Sequence, residues 1–385
     1  IAASDPATYD QFGNSVAVFN DRLIVGARNA TTLAGERSGA AYVYFFFATG
    51  QGSSWSQLWK LVADDGQADD EFGSSVSIAE NVAVVGAEKS DTSDSGAVYL
   101  YASFDSYTWS EHFKVVPSDG VTDGYFGAAV SVEGENAVIG APGDDMLGAG
   151  AGAAYLFTVV TTIGDPLDKV VASNGLQGDV FGSALSSSPG PFILTGAPAI
   201  GVGQGSVYTY LSADLMIWSE IQKLLAADGV SGDEFGCAVA TQDFTLAVGA
   251  EGVNFPATGI SNGGSVYIFK SFDDGSSWTE LQKLFPGDLI SNAFFGHTIS
   301  LYGSALVVGA PGDDDNGVES GSVYVYRSAD GGITWFLNQK VVASDGVPMD
   351  RFGTSVSYFD TSFVVGSLSK SGIGTSTGML HLNRS

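Results

Sequence analysis

The sequence predicts an all-β chain folded as one seven-bladed β-propeller of four-stranded antiparallel blades. Three observations carry this expectation. A Phe-Gly pair recurs at Phe12-Gly13, Phe72-Gly73, Phe126-Gly127, Phe181-Gly182, Phe235-Gly236, Phe295-Gly296 and Phe352-Gly353. A second mark follows each pair, at Gly26-Ala27, Gly86-Ala87, Gly140-Ala141, Gly196-Ala197, Gly249-Ala250, Gly309-Ala310 and Gly366-Ser367, and the Gly-to-Gly interval is 13 residues in six copies and 14 in the fourth. Each copy also holds four short runs rich in Val, Ile, Tyr and Phe between Gly, Asp and Ser, with no sustained helical periodicity.

The strands of a copy read in order. In copy six they are FGHTISLY, ALVVGA, GSVYVYRS and TWFLNQKVVA. The first opens on Phe-Gly: the Phe fills space between blades and the Gly lets backbones come close. The second is apolar on both faces, as a strand covered by neighbouring sheets must be. The third opens on Gly-x-x-Tyr, as in Gly321 to Tyr324 and Gly96 to Tyr99, with His381 replacing Tyr in the seventh copy. The fourth carries Trp and Lys, as in Trp218 to Leu224 and Trp278 to Leu284, and alternates as a half-wet outer strand does. A sandwich of this many strands would leave long edges exposed, whereas radial repetition does not.

The blades are expected at about 7–63, 67–117, 121–172, 176–226, 230–285, 289–343, and 347–385 together with 1–4, in a single domain. The last copy stops at LHLNRS after its third strand, and the opening IAASDP matches the end of a fourth strand, as in Val341 to Gly346. The N-terminal residues are therefore expected to join the last blade and close the ring.

Charge and composition exclude several classes. Lys and Arg number 15 against 43 Asp and Glu, a net charge of −28, which opposes binding to a phosphate backbone. No apolar run is long enough to span a membrane. Hydrophobic residues at 44% are too many for a disordered chain. A single cysteine, Cys237, allows no intrachain disulfide.

The Phe-Gly spacing, with Gly-Ala-Pro at Gly140 to Pro142, Gly196 to Pro198 and Gly309 to Pro311, resembles the FG-GAP repeat of the integrin α-subunit propeller. It resembles more closely the short FG-GAP repeats of secreted and surface proteins. The resemblance spans essentially the whole chain and implies a propeller at the cell surface or secreted, working in adhesion or binding. One departure is plain. The integrin-type calcium loop lies between first and second strands, and here that connection is as short as Ala79 to Asn81 or Gly134 to Asn136. A second resemblance lies in the third-to-fourth turns. Ser328 to Trp335 and Ser271 to Trp278 are similar to the Asp-box of sialidase propellers, with Ser103 to Trp109 a degraded copy. It implies a turn in which Asp accepts backbone N–H bonds and Trp packs beneath, not glycan cleavage.

The second-to-third and fourth-to-first loops share one face, the expected binding face. Loop six, Gly312 to Glu319, offers Asp313, Asp315, Asn316 and Glu319, alternating oxygens that suit a hard cation, so Ca²⁺ is the expected cofactor. Asp144 and Asp145 in loop three are expected to act likewise. Glu88, Asp91 and Asp94 in loop two, with the aromatic Phe255 in loop five, are expected to meet a partner. Seven residues before each Phe stands Asp5, Asp65, Asp119, Asn174, Asp228, Asp288 or Asp345, and two before it five copies carry Asp10, Asp70, Asp179, Asp233 and Asp350. Their regularity reads as turn chemistry.

No catalytic set is expected. His112, His297 and His381 fall at three different strand positions. The Gly374 to Gly378 string matches Gly-x-Ser-x-Gly but lacks the strand-to-helix elbow that motif needs. Cys237 reads as a small buried residue. The expected function is a non-enzymatic extracellular binding, adhesion or assembly module for a protein or glycan. Sequons at Asn29-Ala30-Thr31 and Asn383-Arg384-Ser385 are compatible with a glycoprotein. One alternative is a structural subunit of a surface polymer, joined through an open last blade. Another is a glycan-acting hydrolase, against which the few arginines (Arg28, Arg37, Arg327 and Arg351 among them) argue.

Overall fold

The computed structural model describes residues 1–49, 52–91, 93–105, 107–134, 136–159, 168–187, 192–199, 203–213, 216–360, 362–368 and 379–384. The first sheet is β1 (Phe12–Phe19), β2 (Arg22–Ala27), β3 (Ala40–Thr49) and β4 (Gly52–Leu61), and the second β5 (Phe72–Ala79), β6 (Val82–Ala87), β7 (Ala97–Ala102) and β8 (Ser110–Val115). The third is β9 (Val130–Glu133), β10 (Asn136–Ala141), β11 (Ala153–Thr158) and β12 (Asp168–Val170), and the fourth β13 (Ala184–Ser187), β14 (Phe192–Ala197), β15 (Ser206–Ser212) and β16 (Trp218–Leu224). The fifth is β17 (Phe235–Gln242), β18 (Thr245–Ala250), β19 (Ser265–Lys270) and β20 (Thr279–Leu284), and the sixth β21 (Thr298–Tyr302), β22 (Ala305–Ala310), β23 (Ser322–Arg327) and β24 (Phe336–Val341). The last holds three strands, β25 (Phe352–Phe359), β26 (Ser362–Ser367) and β27 (Met379–Arg384). Every sheet is an antiparallel meander, and no helix occurs among the described residues.

First strands of all seven sheets line one central channel of about 300 Å³, from Val16 round to Tyr358. Hydroxyls knit them into a belt. Ser77 accepts from Val132 N–H, Ser186 from Thr241 N–H, Ser300 from Tyr358 N–H, and Ser357 from Val18 N–H. The last of these bonds joins blade seven to blade one.

The repeat marks explain the packing between blades. Each Phe-Gly glycine has φ between 89° and 99°, a region L side chains avoid. Each Gly-Ala or Gly-Ser glycine lies against the next blade's Phe-Gly glycine: a Cβ on Gly26 would stand 2.1 Å from the Gly73 carbonyl oxygen, and one on Gly366 2.1 Å from that of Gly13. Each Phe of the pair is buried, and in blades one to six it meets edge-on the Tyr near the start of its own third strand, as Phe72 meets Tyr99 at 5.3 Å between ring centres.

The periodic aspartates join consecutive blades. Asp65, after β4, accepts from Tyr99 Oη at 2.8 Å and pairs with Lys114 Nζ at 2.6 Å, while that ammonium lies over the Tyr99 ring. Asp119, Asp228 and Asp288 repeat the arrangement with Tyr155 and Lys169, Tyr267 and Lys283, and Tyr324 and Lys340. Asn174 bonds Tyr208, whose ring carries Lys223. The second set closes turns: Asp10, Asp70, Asp179, Asp233 and Asp350 accept from the N–H three residues back. Both sets are scaffold, as their regularity implies.

Ring closure departs from expectation in one respect. Residues 1–11 form no strand, and the last sheet has three strands among the described residues. Tyr44 Oη bonds Ala2 O as Tyr101 Oη bonds Val62 O, and Asp5 takes Tyr42 and Lys60 as Asp65 takes Tyr99 and Lys114. The N-terminal residues thus occupy the linker that follows a fourth strand, not the strand itself.

Candidate functional site

In blades one to six the second-to-third loop packs on the linker entering the next blade. Gly39 bridges Phe72 and Gly321 bridges Phe352, so both loop types form one face. Loop six gathers its carboxylates on an ammonium. Lys340 Nζ lies 2.9 Å from Asp313 and 2.8 Å from Asp315, besides Asp288 at 2.9 Å. Asp313, 3% exposed, also accepts from Ser322 Oγ, Tyr324 Oη and Asp314 N–H. Burial pushes its carboxyl up, but these donors and Lys340 outweigh burial and hold it below its ordinary value. Asn316 spends its amide on Ala343 O, and Glu319 pairs with Arg351.

Loop three repeats the pattern. Buried Asp144 takes Lys169 Nζ at 2.8 Å and Tyr155 Oη at 3.0 Å, while Asp145 is exposed. Among the described residues no group of three or more His, Cys, Asp or Glu side chains is placed to hold a metal ion. Asp313 and Asp315 thus face Lys340, Asp144 faces Lys169 and Glu319 faces Arg351, so the chain's own cations meet these carboxylates. An alternating acidic string cannot reveal that a lysine of the outer strand folds onto it.

The other expected contacts separate. Asp91 closes its own turn, accepting from Ser93 and Ser95. Slight burial raises its carboxyl, but these bonds dominate and hold it at about 2. Asp94 has φ 51° and takes Tyr125 N–H on its carbonyl, a scaffold role. Phe255 is half-buried against Phe285 at 5.2 Å, so it staples its loop and is not a free docking ring. Glu88 faces Arg28 at 3.6 Å, and its carboxyl is raised by burial and by Glu71. The Gly374 to Gly378 string and Ser385 lie outside the described residues, as does the side chain of His381.

Expected turn chemistry is present on the opposite face. Asp330 accepts from Ile333 and Thr334 N–H, Gly331 has φ 75°, and Trp335 is buried. His112 lies in β8, an outer strand, and burial pushes the Cys237 thiol well up.

A different set of residues converges at the inner rim of the loop face. The residue before each Phe (Gln11, Glu71, Tyr125, Val180, Glu234, Phe294 and Arg351) is left-handed, with φ between 51° and 58°. The backbone is the same in every blade, and the side chain differs in almost all. Between blades five, six and seven this rim encloses a cavity of about 400 Å³, within the ~300–1,000 Å³ range of small-molecule sites. Its polar lining is two ion pairs. His297 Nδ1 lies 2.5 Å from Glu251 Oε2, and Arg351 Nη2 lies 2.6 Å from Glu319 Oε2. Burial would lower the imidazole, but the Glu251 bond raises it above its ordinary value. Phe294, Pro311 and Leu368 supply an apolar wall.

Of the residues expected from the sequence to bind an ion or a partner, Glu319 alone lines this cavity, beside His297 and Arg351, to which the sequence assigns no site role. Glu251, Phe294, His297 and Arg351 each stand beside a repeat mark. The signal for them is non-uniformity at positions whose neighbours never change.

The fold defines a seven-bladed propeller whose repeats interlock through Phe-Gly and Gly-Ala contacts. The chain belongs to the FG-GAP repeat family, whose description matches residues 1–44, 55–101, 109–157, 218–269, 278–326 and 335–382. Each later match begins inside a fourth strand or within one residue of its start and ends in the third strand of the next blade, so the sequence repeat straddles the blade boundary. A comparison with curated proteins gives no match. No helix among the described residues is long and apolar enough to cross a membrane.

Proposed function

We propose that this chain is a non-enzymatic binding module, secreted or displayed at a cell surface, that recognises a protein or glycan through its loop face. The observation that supports this most is the rim. One left-handed backbone position is repeated in every blade and bears Gln11, Glu71, Tyr125, Val180, Glu234, Phe294 or Arg351. Variable chemistry on a rigid scaffold is how repeat folds present recognition surfaces. The reading needs no calcium, because Lys340 and Lys169 already neutralise the buried carboxylates of loops six and three.

Labelled full chain on protein and glycan arrays, with and without EDTA, tests it. The expected result is saturable binding that EDTA leaves intact, Arg28→Ala or Arg351→Asn weakens, and Phe272→Ser on the opposite face does not. No binding on either array, or loss only through Phe272, overturns it.

A second reading, assembly through the outer edge of β27, is favoured by the last sheet having three strands among the described residues. A strict monomer in size-exclusion chromatography at high concentration would remove it.

A further inference from the structure

The cavity between blades five and seven combines groups that one class of ligand satisfies at once. Its charges are paired before any ligand arrives, His297 with Glu251 and Arg351 with Glu319. A free anion would meet Glu251 and Glu319, with Glu234 close by. A free cation would meet His297 and Arg351. Neither sign is favoured.

Hydrogen-bonding capacity nevertheless remains. Glu251 Oε1 and Glu319 Oε1 accept from no donor among the described residues, and Arg351 Nη1 and His297 Nε2 donate to no acceptor there. Thr354 Oγ1 spends its proton on Arg351 O and keeps lone pairs to accept with. Unused acceptors and donors therefore line the same cavity as Phe294, Pro311 and Leu368. A sugar ring carries adjacent hydroxyls, each both donor and acceptor, around an apolar C–H face that packs on an aromatic side chain.

We propose that this cavity binds one neutral sugar residue, with its hydroxyls shared among Glu251, His297, Glu319 and Arg351 and its C–H face on Phe294. The proposal rests on the loop face being the recognition surface and names what one part of it takes. Glu251 and Arg351 come from blades five and seven, so the site exists only in the assembled ring.

Saturation-transfer-difference NMR on the full chain tests it, with glucose, galactose, mannose, fucose and N-acetylglucosamine as neutral probes and N-acetylneuraminic acid as the charged one. At least one neutral sugar should receive transfer. Phe294→Asn and Arg351→Asn should each weaken it about tenfold, the effect of losing roughly 1.4 kcal/mol. Both positions are left-handed, where Asn is at home, so melting temperature should hold and separate loss of the site from loss of fold. Asp145→Asn, exposed on the same face, should leave transfer unchanged. Silence from all neutral probes, preference for the charged sugar, or transfer unaltered in both asparagine variants overturns the proposal. If the sugars fail while the chain still binds a protein on the array, the sugar site falls and the loop-face reading stands. If neither binds, both fall.

Discussion

Asp313 and Glu319 stand in the same loop of blade six, and their surroundings differ throughout. Asp313 is buried and takes Lys340, Tyr324, Ser322 and a backbone N–H. Its counterpart Asp144, in blade three, does the same with Lys169 and Tyr155. Glu319 holds Arg351 at the rim with one carboxylate oxygen unused among the described residues, at a loop position that carries Arg37, Asp94, Gly150 and Asn262 in other blades. The contrast teaches a rule for this fold. Carboxylates at the recurrent positions are spent on interlocking blades, whereas Glu319, at a variable position, keeps an oxygen that the proposed ligand can use.

The sharpest way to break the comparison is to unpair Asp313. Lys340→Met should cost about 3 kcal/mol, because one partner of a buried ion pair is removed and the other stays. The sign of its pH dependence should also turn. In the natural chain the Asp313 carboxyl lies below its unfolded value of 3.8, so its contribution is present above that pH and lost as pH falls through the lower folded value. Without Lys340, burial dominates and raises the carboxyl, so the deficit should shrink as pH falls toward 4. Thermal melting across pH 3–7 reads both effects.

Next in size is the close approach between blades. Gly140→Ala puts a Cβ 2.0 Å from the Gly182 carbonyl oxygen and should cost about 2 kcal/mol, seen as a lower urea midpoint. A smaller loss, about 1 kcal/mol, is expected of Tyr99→Phe, which deletes one bond to Asp65 and leaves Lys114 in place.

The smallest effect sharpens the other side. His297 faces Glu251 and Glu234, with Arg351 opposing them, and its folded value is raised. Its pairing therefore stabilises fully below the unfolded value of 6.5 and is lost as pH rises through the higher folded value. NMR titration should place the His297 midpoint above 6.5, and Glu251→Gln should bring it down. A midpoint unchanged by that substitution would remove the pair.

The blades were legible because Phe12-Gly13 and its six repeats mark a backbone that no other residue pair fits as well. The aspartates before each Phe were legible as turn formers, though not their Tyr and Lys partners, which come from the following blade. Loop six was legible only as an acidic string, because the ammonium that meets it arrives from β24. Phe255 misled because its exposure depends on Phe285, thirty residues on. The rim was invisible for a related reason. Glu251, His297 and Arg351 come from three blades, and nothing in their own neighbourhoods links them before the ring closes.

The most direct test of the division between scaffold and site is the melting temperature of Lys340→Met set beside that of Arg351→Asn. Lys340→Met should melt several degrees lower, at roughly 2–4 °C per kcal/mol for a chain of this size class. Arg351→Asn, which breaks a half-exposed pair worth about 0–1 kcal/mol, should melt within a degree or two of the natural chain. Equal losses, or a larger loss in Arg351→Asn, would contradict the division.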